Sequence, residues 1–203
     1  MIYVFDLDGT IIDSTKRHYL LMERILMDYG IEVPSDFAKS YMGYKADGNS
    51  GKSYLKDILG LTPETADKIQ KEWIEHIEDD DFLLTDELYP DALKALEKAD
   101  GRIVFLTIRE NESGLRKELT RLGIGDHELI VLPHTGSKSR VLKELNGDCI
   151  MIGDTEVDYE ASKEACCKSY ILNRGFRSER YWEQRGIRSH KDLSDLNQAT
   201  EYS

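Results

Sequence analysis

Basic residues are scarce in this 203-residue chain, which has 27 Lys and Arg against 39 Asp and Glu and a formal net charge of -12. A protein that neutralises nucleic-acid phosphates or anionic lipid headgroups needs clustered Lys and Arg side chains. This excess of acid therefore argues against nucleic acid and against membranes as partners.

Long apolar runs are also missing, since no stretch approaches the roughly 20 residues of a membrane span. The N-terminus has neither the basic region nor the small-residue cleavage site of a secretory signal, so we expect a cytoplasmic protein. Only three cysteines occur, Cys149, Cys166 and Cys167. They include an adjacent pair, which rarely closes a disulfide, and they form no CxxC motif. This cysteine content suits a reducing compartment.

Short apolar runs of strand length recur along the chain and alternate with amphipathic helical patterns. The runs cover residues 2–5, 103–106, 129–132, 150–152 and 170–172. Continuous apolar strands between helices are typical of a parallel sheet that helices cover on both faces. The sequence therefore predicts an α/β fold with a Rossmann-like, doubly wound parallel sheet.

A longer helical segment separates the first two predicted strands. The stretch STKRHYLLMERILMDYG has a 3.6-residue apolar period, with Asp13 or Ser14 as a possible N-cap and Gly30 as its end, and Thr62-Pro63 opens another helix. Because a simple strand–helix–strand crossover needs only ~30 residues, we predict an insert. The expected division is a core of residues 1–13 and 89–203 and a helical insert of residues 14–88, whose stretch 41–55 is the most loop-like.

Polar and charged side chains follow the predicted strands where those strands end or where the next helix begins. They are Asp6 and Asp8, Thr107 and Arg109, Lys138, and Asp154 and Asp158. Each residue alone has an ordinary structural explanation, such as a helix cap or a solvated lysine. Functional groups in open parallel sheets gather beyond the carboxyl ends of the strands, so the shared position of this set predicts one site.

The paired carboxylates suggest the chemistry of that site. Asp6 and Asp8 repel each other and lose hydration at the end of a buried strand, so a positive charge must compensate them. An anionic phosphate ester resists attack by a carboxylate unless a cation screens both charges, and Mg²⁺ with its preference for oxygen ligands meets that need. Asp6, Asp154 and one backbone carbonyl would form an open magnesium site. Asp8 could then alternate as general acid and base.

Three further groups suit a transferring phosphoryl group. The Thr107 hydroxyl and the backbone N–H of Ile108, at a strand-to-helix opening, can donate hydrogen bonds to phosphoryl oxygens. Lys138 supplies a compact positive charge that the Asp6 carboxylate and the phosphoryl group can share.

The motifs DLDGT, FLT about a hundred residues later, Lys138 and GDTEVD together resemble the four-motif pattern of the haloacid dehalogenase-like hydrolase superfamily, over nearly the whole chain. The insert resembles the helical C1 cap of its phosphoglycolate phosphatase and β-phosphoglucomutase-like group. The resemblance assigns the metal-binding carbonyl to Asp8 and a supporting role beside the metal to Asp158. Position 8 holds an aspartate instead of an aromatic residue, which in this family points to phosphate esters rather than haloacids as substrates. The resemblance therefore implies a phosphatase that acts on a small phosphorylated metabolite through an aspartyl-phosphate.

The second motif departs from the family pattern, because Ile108 and Arg109 stand where many relatives have Asn after the Thr or Ser. Arg109 could bind a carboxylate or a second phosphate of the substrate, and a structural salt bridge is an equal alternative.

Substrate specificity is expected from the insert. Tyr44, Lys45 and Lys52 are candidates for binding an anionic substrate group, with an ordinary solvated helix junction as the alternative. Arg17 and His18 invite the same suggestion.

Other functions fit the same residues. A sugar phosphomutase or a phosphonatase could use this core, and a phosphonatase would need an insert lysine, with Lys45 as the candidate, to form a Schiff base. A phosphoacceptor signalling module also combines acidic residues with Thr and Lys in a parallel sheet. In such modules the Lys comes last, whereas Lys138 precedes the second acidic pair here. The sequence does not indicate an oligomeric state.

Overall fold

A five-stranded parallel sheet forms the centre of the molecule in the computed structural model, which describes residues 1–145 and 147–197. The strands in chain order are β1 Ile2–Phe5, β2 Ile12–Asp13, β3 Glu87–Leu88, β4 Arg102–Ile108, β5 Glu128–Leu132, β6 Cys149–Gly153 and β7 Lys168–Ile171. The sheet has the order β5, β4, β1, β6, β7, and β2 pairs separately with β3. The predicted α/β fold and its five core strands are confirmed.

Helices cover the sheet and form the insert. They are α1 Thr15–Asp28, α2 Phe37–Ala46, α3 Gly51–Asp57, α4 Pro63–His76, α5 Asp80–Leu83, α6 Ala92–Lys98, α7 Glu112–Arg121, α8 Lys138–Glu144, α9 Glu156–Glu164 and α10 Glu179–Glu183. Among the residues that the structure describes, none of these helices has the length and apolar character needed to cross a bilayer.

Alternate residues of the central strands face opposite layers, as the two-residue period of a strand requires. Phe5 and Phe105 pack in one apolar cluster, which contains residues of α6 and α7. Val4 and Val104 pack in another, which contains residues of α8 and α9. Helices therefore bury both faces of β1, and this explains why its sequence is apolar throughout.

The helices α1 to α5, which we call the insert, lie between β2 and β3 in the chain. These two short strands pair antiparallel, with Ile12 opposite Leu88, where the chain leaves and re-enters the core. The insert has its own apolar cluster, which includes Leu21, Ile25 and Ile69. The domain limits at residues 14 and 88 stay a prediction.

The prediction of a loop over residues 41–55 is wrong for most of that stretch. Helix α2 continues to Ala46, and α3 begins at Gly51. The physical reason is aromatic packing, because the rings of Tyr41 and Tyr54 lie 5.3 Å apart and both side chains are buried in the insert cluster. Burial of these two rings stabilises helix on either side of a short turn.

A disulfide joins the edge of the sheet to its neighbouring strand. The adjacent cysteines do not pair with each other, but Cys149 bonds to Cys167, which the sequence did not indicate, and Cys166 is free and exposed. Ile150 lies opposite Lys168 in the parallel ladder, so the residues before them also face each other, with their Cα atoms 5.5 Å apart. Strand register, which the spacing in the sequence does not reveal, therefore creates the pair.

Candidate active site

The sheet brings the predicted residues together at the carboxyl ends of its strands. Phe5 lies opposite Phe105 on β4 and Ile152 on β6, so Asp6 follows the central strand between the strands that lead to Thr107 and Asp154. All three of these polar side chains are buried. Ile108 is the last residue of β4. The roles of Thr107 and Ile108 in phosphate binding stay predictions.

Lys138 connects two of the buried aspartates. It is the first residue of α8, and its Nζ lies 2.6 Å from Asp6 Oδ1 and 2.7 Å from Asp158 Oδ1. Burial lowers the pKa of Lys138, but Asp158 and Asp6 raise it by more, so this pKa lies above its ordinary value. The lysine therefore remains charged and presents one ammonium group to the acidic site.

Three buried carboxylates form a cluster that could hold a cation. Asp6, Asp154 and Asp158 each offer an oxygen, and these oxygens all lie within 4.8 Å of one another. Burial raises the pKa of Asp154 well above its ordinary value and the pKa of Asp6 to about 7, and repulsion between the carboxylates adds to both shifts. When all three carboxylates are ionised, they face one ammonium group, and two negative charges are left for a cation to compensate. An all-oxygen site with this charge fits Mg²⁺.

Gly9 lets the chain turn directly beside Asp154. Its φ of +79° is in the left-handed region, and a Cβ atom built on it would lie 2.3 Å from Asp154 Oδ2. Oδ2 of Asp154 also accepts a hydrogen bond of 2.7 Å from the backbone N–H of Phe176. The sequence gives no sign of the Phe176 contact, because any residue except proline can donate a backbone N–H.

Asp8 lies between two arginines. Arg109 donates from Nε to Oδ2 and from Nη2 to Oδ1 of Asp8, both at 2.8 Å, and Arg17 Nη2 donates to Oδ1 at 2.5 Å. Burial raises the pKa of Asp8, but Arg109 and then Arg17 lower it by more, so this pKa lies well below its ordinary value. Of the two alternatives for Arg109, the structure has a salt bridge, and its partner is the predicted acid and base.

Lys45, another candidate on the insert, lies at the border with the core. Its Nζ lies 2.7 Å from Nδ1 of His18 and between 5.1 and 5.4 Å from the ring centroids of Tyr41, Trp73 and Phe176. Among the described residues, no carboxylate lies within ion-pair distance of this ammonium group. Burial lowers the pKa of Lys45 to about 7, and Arg177 and Arg17 contribute to the shift.

The other two insert candidates have partners within the insert. The Tyr44 hydroxyl donates a hydrogen bond of 2.7 Å to Asp57, and Lys52 pairs with Asp67 in an exposed contact. Neither Asp57 nor Asp67 lies at the carboxyl ends of the sheet strands. Substrate binding by Tyr44 and Lys52 therefore stays a prediction that these contacts do not support.

Known proteins share this fold and this sequence pattern. A family model described as haloacid dehalogenase-like hydrolase matches residues 1–165. A phosphoglycolate phosphatase of Cereibacter sphaeroides is 29% identical, with 95% of each chain covered, and one of Aquifex aeolicus is 29% identical, with 86% of this chain and 85% of the relative covered. A solved structure of a haloacid dehalogenase-like hydrolase from Streptococcus pneumoniae superposes with a TM-score of 0.72 at 17% identity, covering 97% of both chains.

Proposed function

Because this chain is a phosphatase that belongs to the haloacid dehalogenase-like hydrolase family, we propose that it hydrolyses a small phosphomonoester through an aspartyl-phosphate on Asp6. One observation carries the proposal. Asp6 follows the central strand with one oxygen bound to Lys138 and lies within a buried cluster of three carboxylates. A buried carboxylate next to an ammonium group and a cation site is suited to attack an anionic phosphorus centre.

In the first step, the carboxylate oxygen of Asp6 that is not bound to Lys138 attacks the phosphorus atom. The new bond joins this oxygen to phosphorus, while the bond between phosphorus and the ester oxygen breaks. The Thr107 hydroxyl, the Ile108 backbone N–H and the Lys138 ammonium group stabilise the charge on the transferring phosphoryl oxygens. Asp8, in its protonated form, gives its proton to the leaving alkoxide.

In the second step, Asp8 acts as the base. It takes a proton from a water molecule, whose oxygen attacks phosphorus and releases inorganic phosphate and the Asp6 carboxylate. In the structure, three hydrogen bonds from Arg17 and Arg109 hold Asp8 as a carboxylate. Asp8 must therefore leave these arginines, at least in part, before it serves as the acid.

The residues that would hold magnesium are the side chains of Asp6 and Asp154 and the backbone carbonyl of Asp8. When bound, Mg²⁺ would screen the negative charges of the nucleophile and the phosphate. Asp158 would act through Lys138, since it accepts a hydrogen bond of 2.7 Å from that ammonium group and bonds to Thr155 at the start of α9.

The substrate that we propose is a small phosphorylated carboxylic acid, with 2-phosphoglycolate as the first compound to test. One support is the name of the relatives, phosphoglycolate phosphatase. The other is the position of three basic residues, since Arg17 and Arg109 bind Asp8 and Lys45 lies at the border between insert and core. We propose that Lys45 is the residue by which the insert contributes to binding of the anionic substrate.

The nucleophile is tested with Asp6→Asn, and Asp126→Asn on an exposed turn is the matched control. We expect Asp6→Asn to abolish phosphate release from 2-phosphoglycolate in the presence of Mg²⁺, while the control variant keeps the wild-type rate. Chelation with EDTA should inactivate the wild type, and excess Mg²⁺ should restore it. Phosphate release by Asp6→Asn would refute the covalent route, and full activity in EDTA would refute the metal.

A phosphonatase is the second candidate, and Lys45 is the observation that favours it. Its amine lies among aromatic rings at the border between insert and core, and its pKa of about 7 leaves much of it unprotonated at neutral pH. An unprotonated amine can form a Schiff base with a carbonyl substrate. Borohydride reduction in the presence of phosphonoacetaldehyde should then add mass to wild type and not to Lys45→Met. Absence of the adduct in the wild type would eliminate this candidate.

A further inference from the structure

Arg17 and Arg109 form a buried arginine pair beside the proposed catalytic residues. Arg17 lies on α1 of the insert and is 2% exposed, and Arg109 follows β4 of the core and is 3% exposed. Together they direct three N–H groups at the two carboxylate oxygens of Asp8, whose side chain is 20% exposed. The pair is therefore arranged around a carboxylate that lies towards the open side of the site.

Other residues hold the arginine pair from behind. Arg109 Nη1 donates to Glu118 Oε2 on α7 at 3.1 Å, and Arg17 Nη1 donates to the backbone carbonyl of Ile77 at 3.2 Å. The side chain of Asp86 lies 3.2 Å from Arg17 Nε. Because these contacts do not involve Asp8, both guanidinium groups would keep their positions if Asp8 moved away.

The two arginines share their acidic neighbours unequally. Glu118 pairs with Arg109, and Asp86 lies 3.2 Å from Arg17 Nε and 3.9 Å from Arg109 Nη2. Asp8 is the carboxylate that accepts hydrogen bonds from both arginines. When Asp8 turns towards a leaving group, the three N–H groups that it binds lose their acceptor, which is unfavourable in a buried site.

We propose that Arg17 and Arg109 form a specificity site for a carboxylate of the substrate, which Asp8 occupies in the ligand-free enzyme and which the substrate carboxylate takes over when Asp8 acts as acid and base. This inference rests on the proposed phosphatase function and names the residues that would recognise the carboxylate of the proposed substrate. Guanidinium groups bind carboxylates through charged hydrogen bonds, as Arg109 does here with two bonds to Asp8 and Arg17 with one.

The test compares two substrates that differ in one group. 2-Phosphoglycolate carries a carboxylate where 2-hydroxyethyl phosphate carries a neutral alcohol, and both are hydrolysed at the same kind of ester bond. We expect the wild type with Mg²⁺ to favour 2-phosphoglycolate by about 10- to 100-fold in kcat/KM, which is the effect of about one hydrogen bond to a charged group. Equal values for the two substrates would overturn the inference without affecting the phosphatase proposal.

Variants then assign the preference to the arginine pair. Arg109→Lys and Arg17→Lys keep the positive charge but lose the paired geometry, and Arg102→Lys, at the other end of β4 in an exposed pair with Glu128, is the matched control. We expect either variant of the pair to reduce the substrate preference by about 10-fold and the control to keep it. Circular dichroism identifies any variant that fails to fold, and the wild-type comparison remains valid in that event.

The ratio of the kcat/KM values for the two substrates distinguishes a specificity role of the arginines from a positioning role. If the arginines serve only to orient Asp8, each variant will slow both substrates by the same factor and leave the preference unchanged. If Lys45→Met abolishes the preference while both variants of the pair retain it, the carboxylate binds to the insert lysine instead. Either result would overturn the inference. Phosphate release from neither substrate by the wild type would contradict the proposed function itself.

Discussion

The Asp6→Asn variant should be more stable than the wild type in the absence of metal, although it is inactive. Asp6 is 7% exposed, and burial raises its pKa from 3.8 to about 7. A difference of about three pKa units, at about 1.4 kcal/mol each, corresponds to about 4 kcal/mol of destabilisation when the carboxylate is ionised. That pKa already includes the attraction of Lys138, and the side-chain oxygen of asparagine can accept the same hydrogen bond. We therefore expect a net gain of up to about 4 kcal/mol.

The pH dependence has a definite sign. Below the unfolded pKa of 3.8, Asp6 is protonated in both states and contributes no penalty. As the pH rises towards 7, the unfolded chain releases the proton while the folded protein retains it, so the wild type loses stability relative to Asp6→Asn. Above the folded pKa, the difference becomes constant. The stability advantage of the variant should therefore grow between about pH 4 and pH 7.

Thermal unfolding in EDTA, followed by circular dichroism at several pH values, measures this effect. For a chain of this length, about 4 kcal/mol raises Tm by roughly 8–16 °C. Excess Mg²⁺ should reverse the order, because a ligand that binds only the folded wild type stabilises it by mass action. If the Tm difference does not change between pH 4 and pH 7, Asp6 does not carry a raised pKa, and the electrostatic reasoning about the cluster is incorrect.

Two further substitutions test the cluster. Lys138→Met leaves the buried Asp6 without its ammonium partner, so we expect a loss of about 3–5 kcal/mol in metal-free denaturant unfolding and no turnover, and a loss below about 1 kcal/mol would contradict the ion-pair assignment. Gly9→Ala places a methyl group 2.3 Å from Asp154 Oδ2, so the Mg²⁺ concentration for half-maximal activity should rise sharply. Gly30→Ala is its control, since Gly30 has a similar φ of +69° with no neighbour within 4 Å. If both variants raise the required Mg²⁺ concentration equally, backbone strain and not the contact with Asp154 is the cause.

The core of the fold could be predicted because its signals are local. A buried parallel strand needs apolar residues on both faces, so the run at residues 2–5 identified β1 with the bounds that the structure has. The short strands β2 and β3 gave no such signal, because two residues cannot show a period. The helix α2 was missed, since Tyr41 and Tyr54 stabilise helix here through their mutual packing across the turn.

The sequence alone determined which chemically active residues stand at the ends of strands and the starts of helices. Asp6 and Asp154 follow strands and Lys138 begins a helix, and the apolar pattern of the sequence predicts each of these elements. Parallel strands must have their carboxyl ends on the same side of the sheet, so these residues come together. The tertiary structure decided which side chains make contact across long separations in the chain. Arg109 meets Asp8 over 101 residues, and Lys45 of α2 meets His18 of α1 because these two helices pack together within the insert. Such pairs depend on how helices pack against one another, and no local pattern in the chain encodes that packing.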